Sequence, residues 1–141
     1  MRVVQTTTEQ QLKDAFHIRK KVFVEEQMVP VEIEIDEFEK ASVHFVLYDQ
    51  EKPIGAGRCR TMDHIGKVER ICILPSHRGK GAGNLIMQTI ERFAKEKQIR
   101  ELKLNAQISA IPFYEKLGFT VCSEEFMDAG IPHKTMIKQI G

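Results

Sequence analysis

The segment Arg78-Gly79-Lys80-Gly81-Ala82-Gly83 stands between a strand-like apolar run that stops at Pro75 and an amphipathic helical pattern that begins beyond Asn84. Alternate glycines let a chain turn tightly and bring backbone N–H groups close to a ligand. A helix start adds unpaired donors and partial positive charge, so the place suits a phosphate or pyrophosphate. Arg78 and Lys80 put side-chain cations beside it. Two nucleotide motifs fail on spacing: no stretch reads G-x-x-x-x-G-K-[ST], and G-x-G-x-x-G counted from Gly79 ends on Asn84. The following strand also closes with Asn105, where a dinucleotide site needs a ribose-binding acid.

The strand before the loop carries Glu69, Arg70 and Cys72. Adjacent strand residues face opposite sides, so Glu69 reads either as a base facing a site or as half of an ion pair. A nucleophilic Cys72 would need an adjacent base, and the sequence supplies none. Cys59, Cys72 and Cys122 form no C-x-x-C pair and read as reduced thiols, mostly packed as small hydrophobes. The histidines show no metal-ligand spacing, and no metal is expected. From Glu25 to Glu39 there are seven acids and no Lys or Arg. That segment is either a solvated acidic loop or a wall whose field favours a cationic acceptor. A phosphate-bearing acceptor would instead need Arg19, Lys20, Lys21, Arg58 or Arg60.

The elements that must position these residues follow from periodicity. Residues 2–6 read as a strand, and Thr7 or Thr8 caps a helix running to about Glu26. Residues 28–41 read as an irregular loop or short helical turns. SVHFVLYD and KPIGAGRCRTM form a hairpin about Gln50-Glu51-Lys52, and KVERICIL is a third strand. Leu85, Ile86, Thr89, Ile90 and Phe93 mark one face of a helix after the loop. ELKLNA is a strand, Pro112–Leu117 a short helix ended by Gly118, and FTVCSEEF and HKTMIKQI are the last strands. The order β-α-β-β-β-α-β-α-β-β implies an α/β fold in one domain over residues 1–141, a mixed sheet with helices on both faces.

The chain has 141 residues, 42% hydrophobic and 29% charged, which fits a globular domain able to bury a core. Its 21 Lys and Arg nearly balance 20 Asp and Glu, which argues against a nucleic-acid partner bound by bulk charge. No signal-length or membrane-length apolar run occurs, so a cytoplasmic protein without membrane contact is expected.

Arg78-x-x-Gly81-x-Gly83 resembles the [RQ]-x-x-G-x-[GA] signature of the GCN5-related N-acetyltransferases, the GNAT superfamily. Asn105 followed by Ala110-Ile111-Pro112-Phe113-Tyr114-Glu115-Lys116-Leu117-Gly118-Phe119 is similar to a second segment of that family. The N-terminal Arg19–Gln27, with Pro30, Glu34 and Asp36, resembles a subgroup of small bacterial members. The resemblance implies a GNAT-like, predominantly antiparallel sheet of six to seven strands. It implies acetyl-coenzyme A as co-substrate, its pyrophosphate held by Arg78, Gly79, Lys80, Gly81, Ala82 and Gly83. The pantetheine arm would lie along Ile71, Cys72 and Ile73 and meet Asn105, with Phe113 lining the channel. Tyr114 would protonate the leaving thiolate, and Glu69 would be the candidate base. The implied reaction is direct acetyl transfer to a primary amine of a small molecule or protein. The alternatives are a non-catalytic acyl-CoA sensor and transfer to a non-amine acceptor. Family members often pair through sheet edges, which makes a homodimer an expectation.

Overall fold

Thr8 starts the first helix with a reciprocal cap: its hydroxyl accepts the Gln11 N–H at 3.1 Å, and the Gln11 side-chain oxygen takes the Thr8 N–H at 3.3 Å. Two of the unpaired donors at the helix start are thereby satisfied. A computed structural model describes all 141 residues, Met1–Gly141. Strand β1 is Arg2–Gln5 and helix α1 is Glu9–Arg19. The expected helix does reach Glu26, but its last part, Lys20–Glu26, is wound as a wider π-helix. Gln27 N–H accordingly reaches back five residues to the Val22 carbonyl at 3.0 Å. Such widened turns concentrate at functional sites. A one-turn helix α2, Val31–Glu34, occupies part of the expected irregular segment.

The strands are β2 (Val43–Asp49), β3 (Lys52–Met62), β4 (Ile65–Ile73), β5 (Glu101–Gln107), β6 (Thr120–Val121), β7 (Phe126–Asp128) and β8 (Ile131–Gln139). They form an eight-stranded sheet in the order β1-β2-β3-β4-β5-β8-β6, with β7 pairing another stretch of β8. All pairs are antiparallel except β4 with β5. The extra strand arises because FTVCSEEF, expected as one strand, breaks in the middle. Ser123 Oγ accepts the Thr135 N–H at 2.8 Å, a donor that a regular ladder would have satisfied. The β7–β8 turn was hidden because Ala129, with Gly130, takes a positive φ that alanine seldom adopts.

Helix α3 (Ala82–Glu96) covers one face, where Ile86, Ile90, Phe45, Leu47, Leu102 and Leu104 pack. Helix α1 covers the other through Ala15 and Ile18 against Val46, Ala56 and Cys72. Helices on both faces match the expected architecture. The short helix α4, Ile111–Lys116, leaves β5 toward the α3 side and contributes Tyr114 to that core.

Two irregularities distort the middle of the sheet. Strands β4 and β5 pair only from Ile65↔Glu101 to Val68↔Leu104, so beyond Val68 they part. In the same stretch β3 and β4 are paired at Arg58↔Glu69 and Ala56↔Cys72. Gly57 thus stands opposite both Arg70 and Ile71, a β-bulge, and Arg70 has φ of 62°. A left-handed arginine is strained by about 1–2 kcal/mol and persists only when its surroundings hold it. Here the Arg70 guanidinium is held by Glu34 Oε2 at 3.1 Å and Asp36 Oδ2 at 3.2 Å.

Candidate functional site

The parting of β4 and β5 opens a cleft of about 700 Å³. At one end lies the glycine loop. The amides of Gly79, Lys80 and Gly81 make no backbone hydrogen bond, and those of Ala82, Gly83 and Asn84 open helix α3, whose first bond runs from Leu85 N–H to Gly81 O. Six consecutive N–H groups are therefore unpaired, joined to the positive end of a 15-residue helix. Gly79 and Gly81 turn the chain with φ of 77° and 79°. Gly83 is needed for another reason: a Cβ there would meet Phe113 Cζ at 3.0 Å. Phe113 thereby packs against the first turn of α3 and lines the cleft.

The two cations of the loop are placed differently. Arg78 is bound through both terminal nitrogens to Glu26, at 2.7 and 2.6 Å, and its Nε donates to Ile73 O at 2.9 Å. It ties the loop to the end of the π-helix rather than standing free. The Lys80 side chain is exposed and does not line the cleft, while its amide belongs to the cradle. His77 is bound by Ser76 and by Asp49, each at 2.8 Å.

Ile71, Cys72 and Ile73 form one wall of the cleft. Burial pushes the Cys72 thiol up to about 12, with Glu34 adding to it, so it stays a protonated thiol. Tyr114 lies inside the cleft and is 7% exposed. Its ring is wedged edge-on between Phe113 and Phe119, with centroids 4.9 and 5.8 Å away. A buried tyrosine hydroxyl usually has a protein partner. This one has none, and it is not sealed from the cleft. Burial first, then the neighbouring Cys72, raises its pKa, so the phenol keeps its proton throughout the working range. On β5, Asn105 Oδ1 accepts from Thr135 Oγ1 at 2.8 Å, which leaves its NH₂ group as donor at the cleft.

Glu69 also reaches the cleft, but its Oε1 takes Arg58 at 3.1 Å and Arg60 at 2.9 Å. It belongs to a buried lattice in which Glu34, Asp36, Glu39 and Glu69 meet Arg19, Arg58, Arg60 and Arg70. Arg58, fully buried, also holds Asp36 at 2.7 Å and Glu39 at 2.9 Å. Arg19 holds Glu34 at 2.9 Å and Glu39 at 2.7 Å. The expectation of a solvated or field-generating acidic segment is corrected for three of its seven acids: Glu34, Asp36 and Glu39 are neutralised in place, Glu26 pairs with Arg78, and Glu25, Glu32 and Glu37 stay exposed. Nor are Arg19 and Arg58 available to an acceptor phosphate. The signal for this pairing was present, since a segment with seven acids and no cation lay within reach of arginines set inside apolar runs.

Sequence reasoning missed the far wall. Gln27 accepts from Gln107 across 2.8 Å, linking the end of the π-helix to β5. His133, Ile131 and Asp128 reach the cleft from β7 and β8, which the broken strand and the unforeseen turn bring there.

Residues 3–140, almost the whole chain, match the family model of the acetyltransferase (GNAT) domain. The chain belongs to the GNAT acetyltransferases. The Bacillus subtilis protein named as the uncharacterized N-acetyltransferase YjcF is 55% identical over 139 residues, covering 98% of this chain and 99% of that one. Among solved GNAT-like structures, a Lactobacillus plantarum protein has a TM-score of 0.92 at 25% identity, covering 99% and 97% of the two chains. An aminoglycoside 6'-N-acetyltransferase in complex with coenzyme A has a TM-score of 0.79 at 12% identity, covering 99% and 97%. At that identity the likeness is one of fold.

Proposed function

We propose that this GNAT protein binds acetyl-coenzyme A in the splay between β4 and β5 and passes its acetyl group directly to a primary amine. The observation that carries the reading is the run of six unpaired amides from Gly79 to Asn84 at the end of that splay. A pyrophosphate there is bound by donors that no protein group uses. The pantetheine arm then runs along Ile71, Cys72 and Ile73, with the Asn105 amide opposite. Tyr114 stands where the thiolate leaves, holding a proton it can give. A sensor that only bound the coenzyme would have no use for a phenol whose hydroxyl is held by no protein group and opens to the cleft, and this favours an enzyme.

The acceptor enters from the α1 face, past Phe23, Val29, Ile33 and Ile131. Met28, Val31, Ile33, Ile35 and Met127, five of the seven large apolar residues exposed on the molecule, lie on the two segments that flank this entrance. With Glu34, Asp36 and Glu39 neutralised by arginine and these apolar side chains exposed beside the opening, an amine carrying an apolar portion suits this entrance.

The coenzyme half of the reading is tested by Gly81→Val. Open space surrounds the position, so a side chain meets nothing, but valine strongly resists a φ of 79°. The amides should turn away from the pyrophosphate, weakening coenzyme A binding at least tenfold by calorimetry while far-UV circular dichroism stays intact. Equal affinity for variant and parent would remove the loop from the binding site.

A further inference from the structure

We infer that His133, on β8, is the catalytic base that takes the proton from the acceptor amine. This rests on the acetyl-transfer reading of the cleft. His133 is only 8% exposed and lines the cleft from the side opposite β4. Its Nδ1 lies 2.7 Å from the Ile131 carbonyl. A carbonyl can only accept, so Nδ1 carries the hydrogen and Nε2 is left with its lone pair. Nε2 has no protein partner and, unlike the His44 Nδ1 atom, is not sealed away. Phe126 stacks on the ring at 6.1 Å with an interplanar angle of 23°, holding its plane. The result is a histidine with its tautomer and orientation set and its basic nitrogen open to the site.

Its position relative to Tyr114 supports the role. His133 pairs with Gln107, and Thr135 with Asn105, so these four residues share one face of the β5–β8 ladder. Leu104 and Ala106 point to the other face, into the core that contains Tyr114. The proton donor and the proton acceptor thus flank the sheet at the place where β4 has moved away. Among the other charged groups at the cleft, Lys67 and Glu69 come from β4 and Asp128 from β7, beside the Phe126 that stacks on the ring. Glu69 is occupied by two guanidiniums and Asp128 is solvent-exposed, which leaves His133 as the buried basic group at the cleft with an unclaimed lone pair.

The chemistry balances. The amine nitrogen attacks the thioester carbon and forms the C–N bond. His133 Nε2 takes one N–H proton as the C–S bond breaks, and the thiolate receives the Tyr114 proton. The imidazolium releases its proton to solvent, and the phenolate recovers one. The products are the amide and coenzyme A.

The test uses the full chain, with acetyl-CoA and the best amine from a panel. His133→Gln should lower kcat/KM by about a hundredfold, the low end for acid–base assistance. Coenzyme A affinity should stay within twofold and the melting temperature within about 2 °C. Imidazole added to His133→Ala should restore turnover in proportion to its concentration, which a structural role would not allow. A His133→Gln kcat/KM within threefold of the parent overturns the inference. So does a loss that imidazole fails to repair, or one accompanied by loss of coenzyme binding or of stability. If the parent acetylates no amine, the acetyl-transfer reading itself fails; if the parent acetylates and His133→Gln matches it, only the base assignment is lost.

Discussion

Replacing Arg58 with methionine should lower the melting temperature by roughly 10 °C or more, the largest stability loss expected from any single charge in this protein. Arg58 is fully buried and is shared by Asp36, Glu39 and Glu69. Its removal leaves three carboxylates facing one another with only Arg19, Arg60 and Arg70 to answer them. Breaking a buried ion pair by deleting one partner typically costs about 3–5 kcal/mol, and each kcal/mol moves the transition of a chain this size by about 3 °C. Lys95→Met is the contrast: its pair with Glu91 at 3.3 Å is solvent-exposed, and such pairs contribute under about 1 kcal/mol. A calorimetric scan of both variants decides the matter. Similar small shifts for the two would mean that the lattice adds little to stability.

The same lattice sets the acid limit. Burial alone would raise the Asp36 carboxyl, but the Arg58 hydrogen bonds and the charges of Arg58 and Arg70 outweigh it and hold it at about 2. Burial likewise works to raise Glu39, and Arg19 above all overcomes it, holding that carboxyl at about 2. Both folded values lie below the unfolded ones, so the stability they contribute is complete above about pH 4.5 and is lost as pH falls toward 2. In the Arg58→Met protein that acid-sensitive share should shrink. The loss also reaches the site, because this lattice fastens the 31–39 segment to the bulge at Arg70.

Tyr114→Phe should lower kcat about ten- to hundredfold with little change in coenzyme affinity. The ring keeps its edge contacts with Phe113 and Phe119, so packing survives the change. What disappears is one proton at the leaving sulfur. General-acid assistance typically supplies about 10²–10⁴-fold. Free thiols titrate near about pH 8.5, so a thiolate can also leave unaided, and the effect belongs at or below the low end of that range. Because burial raises the phenol, the parent should show no alkaline loss of kcat from this group across pH 6–9. An unchanged kcat in Tyr114→Phe, with the best amine and saturating acetyl-CoA, would return Tyr114 to a packing role.

What could be read from residues alone was governed by short-range chemistry. Thr8 and Gln11 set a cap, Gly81 and Gly83 set the loop, and the Leu85–Phe93 pattern set the face of α3; each depends on neighbours within about a turn. The features that create the cleft depend on partners far along the chain. The bulge at Arg70 is held by Glu34 and Asp36, 36 and 34 residues away. The fate of the acidic segment depended on Arg19 and Arg58 being buried against it. His133 reaches the site through the pairing of β8 with β5, where it stands opposite Gln107, a partner 26 residues away that no local pattern announces. Cys72 illustrates the converse: its inertness was legible because no base stood near it in sequence, and burial supplies the physical reason.

If the cleft moves an acetyl group from coenzyme A to an amine, free thiol must appear as the amine is acetylated. Acetyl-CoA is incubated with the parent protein and a panel running from apolar alkyl- and arylalkylamines to amino sugars and polyamines, with protein-free and amine-free controls. Thiol release should depend on both protein and amine, with one acetylated amine per thiol by mass spectrometry and faster turnover of the apolar amines. Tight coenzyme binding with thiol release that no amine increases would contradict it and leave a binding module.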